Sequence, residues 1–214
     1  MVSQSEIIGQ SISRIDGPDK VTGETLYAAD VILPGMLTGK ILRSPHPHAR
    51  IRRFDTTAAW AVPGVKAIVT GDDARGFLQG KVLRDLPVLC WDKVRYIGDR
   101  VAAVAAETPE AADEALLLID VDYEVLPAVF DPMEAMQTDA PLLHDDIAAY
   151  VGAPTEFLAP DIHNGQTRLY WTKGDLDKGF AEADVVLEHS FSIPSRHQGY
   201  IEPFTSVIDI DDDG

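Results

Sequence analysis

Two histidines and two arginines crowd one short stretch of this 214-residue chain, Ile41-Leu-Arg-Ser-Pro-His-Pro-His-Ala-Arg-Ile51. His46 and His48 lie two apart. In a strand that spacing puts both side chains on one face, where two imidazoles could meet a metal ion. Such a site needs three or four ligands, and no nearby cysteine or carboxylate completes the set. Two prolines stiffen the stretch, and apolar runs at 36–42 and 51–54 flank it. The better reading is a structural corner in which Arg43 and Arg50 pair with local carboxylates or carbonyls.

A second dense stretch is Arg196-His-Gln-Gly-Tyr-Ile-Glu-Pro203. It places a base, an amide, a phenol and a carboxylate in one short span. Pro203 biases Glu202 towards extended backbone. A buried, hydrogen-bonded Glu202, with His197 and Gln198 beside it, would either support a site or tie two domains together. The residues alone favour neither reading.

The remaining candidates have simpler explanations. Asp72-Asp73, the set Asp120, Asp122 and Glu124, and Asp211 to Asp213 could attract calcium or perform acid–base work. The middle set reads as the wet face of a strand and the last as a turn, so solvated faces account for them. Cys90 sits in the apolar run Pro-Val-Leu-Cys-Trp, which suggests a buried, inert thiol. Ser3, Ser44 and Ser195 lack a nucleophile-elbow context. Gly98, Gly165 and Gly174 form no phosphate-cradling loop, since neither G-x-x-x-x-G-K nor G-x-G-x-x-G occurs.

Composition bounds what can position these groups. The length favours one large domain or one and a half. At 45% hydrophobic residues a sizeable core can form, and the net charge of −17 argues against binding nucleic-acid phosphates. A single cysteine excludes an internal disulfide framework and a Cys-rich metal or iron–sulfur site. It suits a cytoplasmic setting. No apolar run reaches the roughly 18 residues of a membrane span, and residues 1–6 lack the basic and apolar regions of a signal peptide.

In chain order, residues 1–24 read as an extended arm with a turn at Asp16-Gly17-Pro18. Strands are expected over 26–31, 36–42 and 50–54. Asp55 or Thr56 caps a short helix that runs to Trp60, and Pro63-Gly64 ends it before a strand over 65–70. Residues 72–93 read as mostly irregular, with a short strand over 94–97 and a turn at Gly98-Asp99. The small apolar run over 101–106 reads as a strand buried on both faces. Thr108-Pro109-Glu110 starts a helix to about Leu118, with a hydroxyl cap, a proline and an acid in the first turn. Residues 119–125 alternate as a strand with one wet face. Two strand–helix–strand units, over 50–70 and 101–125, imply an α/β (α+β) layered domain. Five prolines over 127–172 mark a connection, with a short helix around 132–137 and a domain boundary inside it. Asp175 caps a helix through Ala183. Strands are expected over 185–193 and 206–210, the second reaching a turn at Asp211-Asp-Asp-Gly214 whose return strand is missing.

Several stretches carry a resemblance: Arg14-x-Asp-Gly-Pro-x-Lys-Val-Thr-Gly23, Tyr27-Ala-Ala-Asp30, Leu33-Pro-Gly-Met36, Arg43-Ser-Pro-His46 with His48-Ala-Arg-Ile51, Pro63-Gly-Val65, Val94-Arg-Tyr-Ile-Gly98 and His197-Gln-Gly-Tyr-Ile-Glu-Pro203. Together, in collinear order, they resemble the N-terminal part of the molybdopterin-binding large subunit of the xanthine dehydrogenase/aldehyde oxidase (molybdenum hydroxylase) family. The resemblance implies an arm at 1–19, an α/β hammerhead domain at 20–132, a linker at 133–172 and the incomplete start of a molybdopterin-binding domain at 173–214. The family's active-site glutamine, its Gly-Gly-Phe-Gly-Gly loop and its catalytic glutamate lie further along and do not occur here. No catalytic, cofactor-binding or metal residue is therefore carried over. Arg43, His46, His48, Arg50, His197, Gln198 and Glu202 stand as candidates for a domain interface or for site support.

The implied function is the structural part of a molybdenum-cofactor oxidoreductase that hydroxylates aldehydes or N-heterocycles. Molybdopterin would be bound with another chain that completes the site, not by this chain alone. Iron–sulfur clusters and FAD would lie on partner subunits or domains, with no nucleic acid and no membrane involved. The competing reading is a non-catalytic binding or assembly module, or an inactive fragment, that retains the hammerhead fold.

Overall fold

The architecture is built around one small-residue strand. In the computed structural model, which describes residues 8–81, 83–152, 158–159 and 161–210, the chain divides into two units. One spans residues 35–184, and the other joins residues 1–34 to 185–214. The expectations for Ser3 and for the turn at 211–214 lie outside the described residues, as do Pro154 and Pro160.

In the larger unit, β1 (Thr38–Arg43), β7 (Arg100–Ala106) and β3 (Val65–Thr70) form an antiparallel sheet with β7 at its centre. A second antiparallel sheet has β2 (Ala49–Asp55) between β6 (Lys93–Val94) and β8 (Asp120–Val125). A two-residue pair, β4 (Leu78–Gln79) with β5 (Leu86–Pro87), lies in the otherwise irregular stretch before β6.

Alternation along β7 serves two cores, because successive side chains of a strand leave opposite faces. Val101 packs with Ala49, Cys90 and Val94, joined by Ile51, Phe54 and Tyr123. Ala102 and Val104 instead join Ala59, Val62, Ala115 and Ile119. Leu42 contributes to both clusters. On the second face, α3 (Pro109–Leu118) lies over β1 and β7 and against α2 (Thr57–Trp60). Fully buried alanines, Ala59, Ala102, Ala112 and Ala115, let the helices approach the sheet closely. The start of α3 is as expected, with Thr108 Oγ1 accepting from Ala111 N at 3.1 Å and Pro109 in the first turn. At α2 the cap is Asp55, whose carboxylate accepts from Thr57 N, and not the Thr56 hydroxyl.

Both expected strand–helix–strand units are present, but their strands are not sheet neighbours. β2 and β3 belong to different sheets, and so do β7 and β8. Each helix thus carries the chain from one sheet to the other. The connection beyond β8 holds α4 (Pro132–Ala135), capped by Asp131, and a 3-10 turn at Ile147–Ala149. It ends in α5 (Leu176–Glu182), where Asp175 caps Lys178 N as expected.

Four expectations need correction. The arm is not extended throughout, because α1 (Gly17–Thr22) starts at the predicted turn, with Pro18 in its first turn and Gly23 closing it at φ 79°. Pro favours that position since its missing N–H is unused there. Residues 26–31 form no strand. A 3-10 turn at Ala28–Asp30 replaces it, with the Asp30 carboxylate accepting from Tyr27 N. The strand over 94–97 shrinks to β6, because Gly98 N donates to Ser44 O and Asp99 N to Tyr96 O, curling the chain away. Finally, no strand forms among the described residues of 185–210. Val185, Leu187, Phe191, Ile193, Ile208 and Ile210 are exposed there, because an alternating pattern without a pairing partner has no ladder to join.

Packing at the junction of the sheets allows a direct test. Gly71 follows β3, and a Cβ there would fall 1.8 Å from Cys90 O and 2.7 Å from Trp91 Cα. Backbone atoms cannot yield as a side chain does. Gly71→Ala should cost about 3 kcal/mol of unfolding free energy by urea denaturation. Gly39→Ala, which meets nothing within 4 Å, should be neutral or mildly stabilising.

Candidate functional site

The corner at 43–50 is fastened by backbone and side chain together. Ser44 N donates to Asp99 O at 2.8 Å, and Gly98 N returns a bond to Ser44 O at 2.8 Å. Within the corner, Ser44 Oγ accepts from His46 N at 3.0 Å and donates to His46 O at 3.1 Å. Arg43 Nη1 donates to Gly98 O at 2.9 Å, the carbonyl pairing expected of it. Arg50 sits in register between Lys93 and Glu124 on the neighbouring strands.

The two histidines serve different neighbours. His48 is buried, and its Nδ1 lies 2.6 Å from Pro127 O. A carbonyl only accepts, so Nδ1 carries the proton. Nε2 is buried and has no hydrogen-bond partner. His46 packs edge-on against Tyr123, with ring centroids 5.0 Å apart. Among the described residues no three His, Cys, Asp or Glu side chains come together as a metal site.

Asp99 is the group that sequence reasoning missed. Its sequence context marks only a turn, yet the residue is 4% exposed, so its carboxylate must be satisfied from within. Oδ2 accepts from Arg95 N and Oδ1 from Arg100 N, each at 3.1 Å. Burial and then the adjacent Asp99 carboxylate push the Cys90 thiol above the ordinary thiol range. Cys90 is fully buried and stays protonated, so it is the inert thiol expected and not a nucleophile. Burial, then Asp99, raises Tyr96 in the same way.

Lys93 was also missed, since nothing in its local sequence marks it as buried. Its side chain is 2% exposed, and Nζ donates to Asp145 Oδ1 at 3.2 Å and Leu142 O at 3.3 Å.

The second candidate stretch differs in kind. His197 Nδ1 accepts from Gly199 N at 3.0 Å, and Gly199 has φ 74°. The ring lies 5.0 Å from that of Tyr200, which in turn meets Phe204 edge-on. Gln198 and Glu202 are exposed. Glu202 lines an open recess with Tyr27, Ala29 and Asp30.

The acid clusters at 72–73 and 120–124 are solvated faces balanced by neighbours. Arg52 pairs with Glu124 and Arg53 with Asp120, all exposed. Asp72 pairs with Arg75, while Asp73 accepts from both Thr70 N and Thr70 Oγ1 at 2.8 Å. Those two bonds hold the Asp73 carboxyl below its usual range.

Comparisons with known proteins converge. The family profile described as aldehyde oxidase and xanthine dehydrogenase, a/b hammerhead domain, matches residues 22–127. The profile of the molybdopterin cofactor-binding domain matches residues 160–214. A probable xanthine dehydrogenase subunit of Bacillus subtilis (strain 168) is 41% identical over 94% of this chain and 25% of that protein. The nicotinate dehydrogenase large molybdopterin subunit of Eubacterium barkeri is 34% identical over 98% of this chain and 46% of its own length. Among solved structures, the reconstituted CO dehydrogenase from Oligotropha carboxidovorans superposes with a TM-score of 0.68 at 35% identity, covering 83% of this chain and 22% of that one. The chain thus spans from a quarter to about half the length of these two curated relatives.

The Asp99 junction predicts its own sensitivity. Asp99→Ala removes the acceptor from two part-buried amides and should cost about 3 kcal/mol in urea denaturation. Asp99→Asn keeps an acceptor oxygen and should cost roughly half as much. Equal, small losses for both would show that the carboxylate does not hold the corner.

Proposed function

The chain belongs to the xanthine dehydrogenase/aldehyde oxidase family, matching the N-terminal part of its molybdopterin-binding large subunit, and from that premise we propose that it is the structural part of a molybdenum-cofactor oxidoreductase. The reaction proposed is hydroxylation of an aldehyde or N-heterocycle. The hammerhead domain is assigned to 20–132, the connection to 133–172 and the start of the molybdopterin-binding domain to 173–214.

The imidazoles of the corner are committed to Pro127 and Tyr123, Cys90 is sealed and protonated, and Gln198 and Glu202 stand open to solvent. No chemical step is therefore routed through them, and the pterin site and catalytic base are assigned to the part of the large subunit that this stretch does not span, on the same polypeptide or on another. Iron–sulfur and flavin centres are assigned to partner subunits or domains, and the setting to the cytoplasm on the strength of the single cysteine.

One observation carries the reading of an incomplete scaffold. The alternating apolar side chains from Val185 to Ile193 are exposed and unpaired within a region that matches the molybdopterin-binding profile. Strands supplied by the rest of the large subunit would cover them. The share of the relatives' length also varies, 46% of the nicotinate protein against 25% of the Bacillus protein, so the family carries this stretch in polypeptides of different size.

Purification of the chain from its source under non-denaturing conditions should bring down further polypeptides, with molybdenum detectable by mass spectrometry in the same fraction. A well-folded, metal-free monomer with no companion would defeat the proposal and favour a non-catalytic module.

A further inference from the structure

Residues 142–151 lie as a strap across the edge of the second sheet. Its first half is gripped by two cations. Lys93 Nζ reaches Leu142 O and Asp145, and Arg95 Nε donates to Leu143 O at 3.1 Å while Arg95 Nη1 returns to Lys93 O at 3.1 Å. The far end is pinned by Arg84 N donating to Val151 O at 3.0 Å. Asn164 braces the near end, accepting from Leu143 N at 2.9 Å. Between the pins, His144 Nδ1 meets Tyr150 Oη at 3.1 Å, with the two rings edge-on and their centroids 5.5 Å apart.

From this geometry we propose that the strap is acid-labile, with His144 as its trigger: protonation of the imidazole beside Lys93 and Arg95 releases residues 142–151 and uncovers Lys93. His144 is half-buried, packed against Tyr150 of its own segment and lining the cavity beside it. The charges acting on it are the cations Arg95 and Lys93, opposed by the carboxylates Asp85 and Asp145. Asp145 is already engaged by Lys93, with Arg50 and Arg95 adding to the pull. Asp85 is bonded to Gln166 Nε2 at 2.6 Å. Tyr150 remains a neutral phenol, raised by burial. His163, on the far wall of the cavity lined by the strap, is tied through Nε2 to Ala140 O at 2.8 Å. A proton on His144 therefore places a third positive charge beside two cations that the strap itself needs.

The direction of the effect follows. Burial first, then Arg95 and Lys93, hold the His144 pKa below its ordinary value. In the released strap it returns to about 6.5. The closed strap thus has its full stability above about pH 6.5 and loses it as pH falls from there towards the depressed value. Asp145 is held low by its cations and titrates below this window.

The test is hydrogen–deuterium exchange on the full chain at pH 7.5 and 5.5, corrected for intrinsic exchange. Peptides covering 142–151 should lose protection by about threefold or more at the lower pH in the native sequence. His144→Gln should abolish that pH dependence, and His163→Gln should leave it intact. A pH-independent strap in the native sequence, or unchanged pH dependence in His144→Gln, overturns the proposal. If His144→Gln fails to fold, titration of the native His144 ring by NMR decides the matter. A midpoint clearly below the ordinary imidazole value of about 6.5 supports the trigger, and one at or above it overturns the trigger.

Discussion

A carboxylate with little access to water must be surrounded by donors, and Asp99 imposes that condition on everything near it. Its two oxygens take the amides of Arg95 and Arg100, which bends the chain between β6 and β7. Its backbone carbonyl takes Ser44 N, which fixes the corner between β1 and β2. Two of the chain's passages between the sheets, β1 to β2 and β6 to β7, are thereby locked at one place. The close approach of Gly71 to Cys90, and the sealed thiol itself, are consequences of how tightly that place is packed.

What could be read in the sequence was whatever is decided locally. Thr108, Pro109 and Glu110 announce α3 because capping involves residues within one turn, and Asp175 announces α5 for the same reason. The run over 101–106 declared a buried strand because small apolar residues are all it contains. Pairing partners were not legible. Alternation at 185–193 states which side chains share a face, and says nothing about whether another strand is available. The exchange of sheets within each strand–helix–strand unit is likewise a property of distant segments.

The candidate site divides along the same line. The corner at Arg43 to Arg50 was recognisable by its stiffness, and its histidines by their lack of further ligands. Asp99 and Lys93 were not recognisable, because their burial depends on groups far away in the chain: Ser44 for one, Leu142 and Asp145 for the other. A lysine and an aspartate near a glycine look like any solvated turn until the segments that cover them are known. The family resemblance was legible throughout, since it rests on residue strings and not on where they fold.

The bare apolar stretch from Val185 to Ile193 has a consequence for the life of the polypeptide in the cell. Unfolded-like, greasy backbone is the feature by which chaperones retain a client and proteases choose one. Whatever covers those side chains, whether more of the same polypeptide or another chain, also withdraws them from that surveillance.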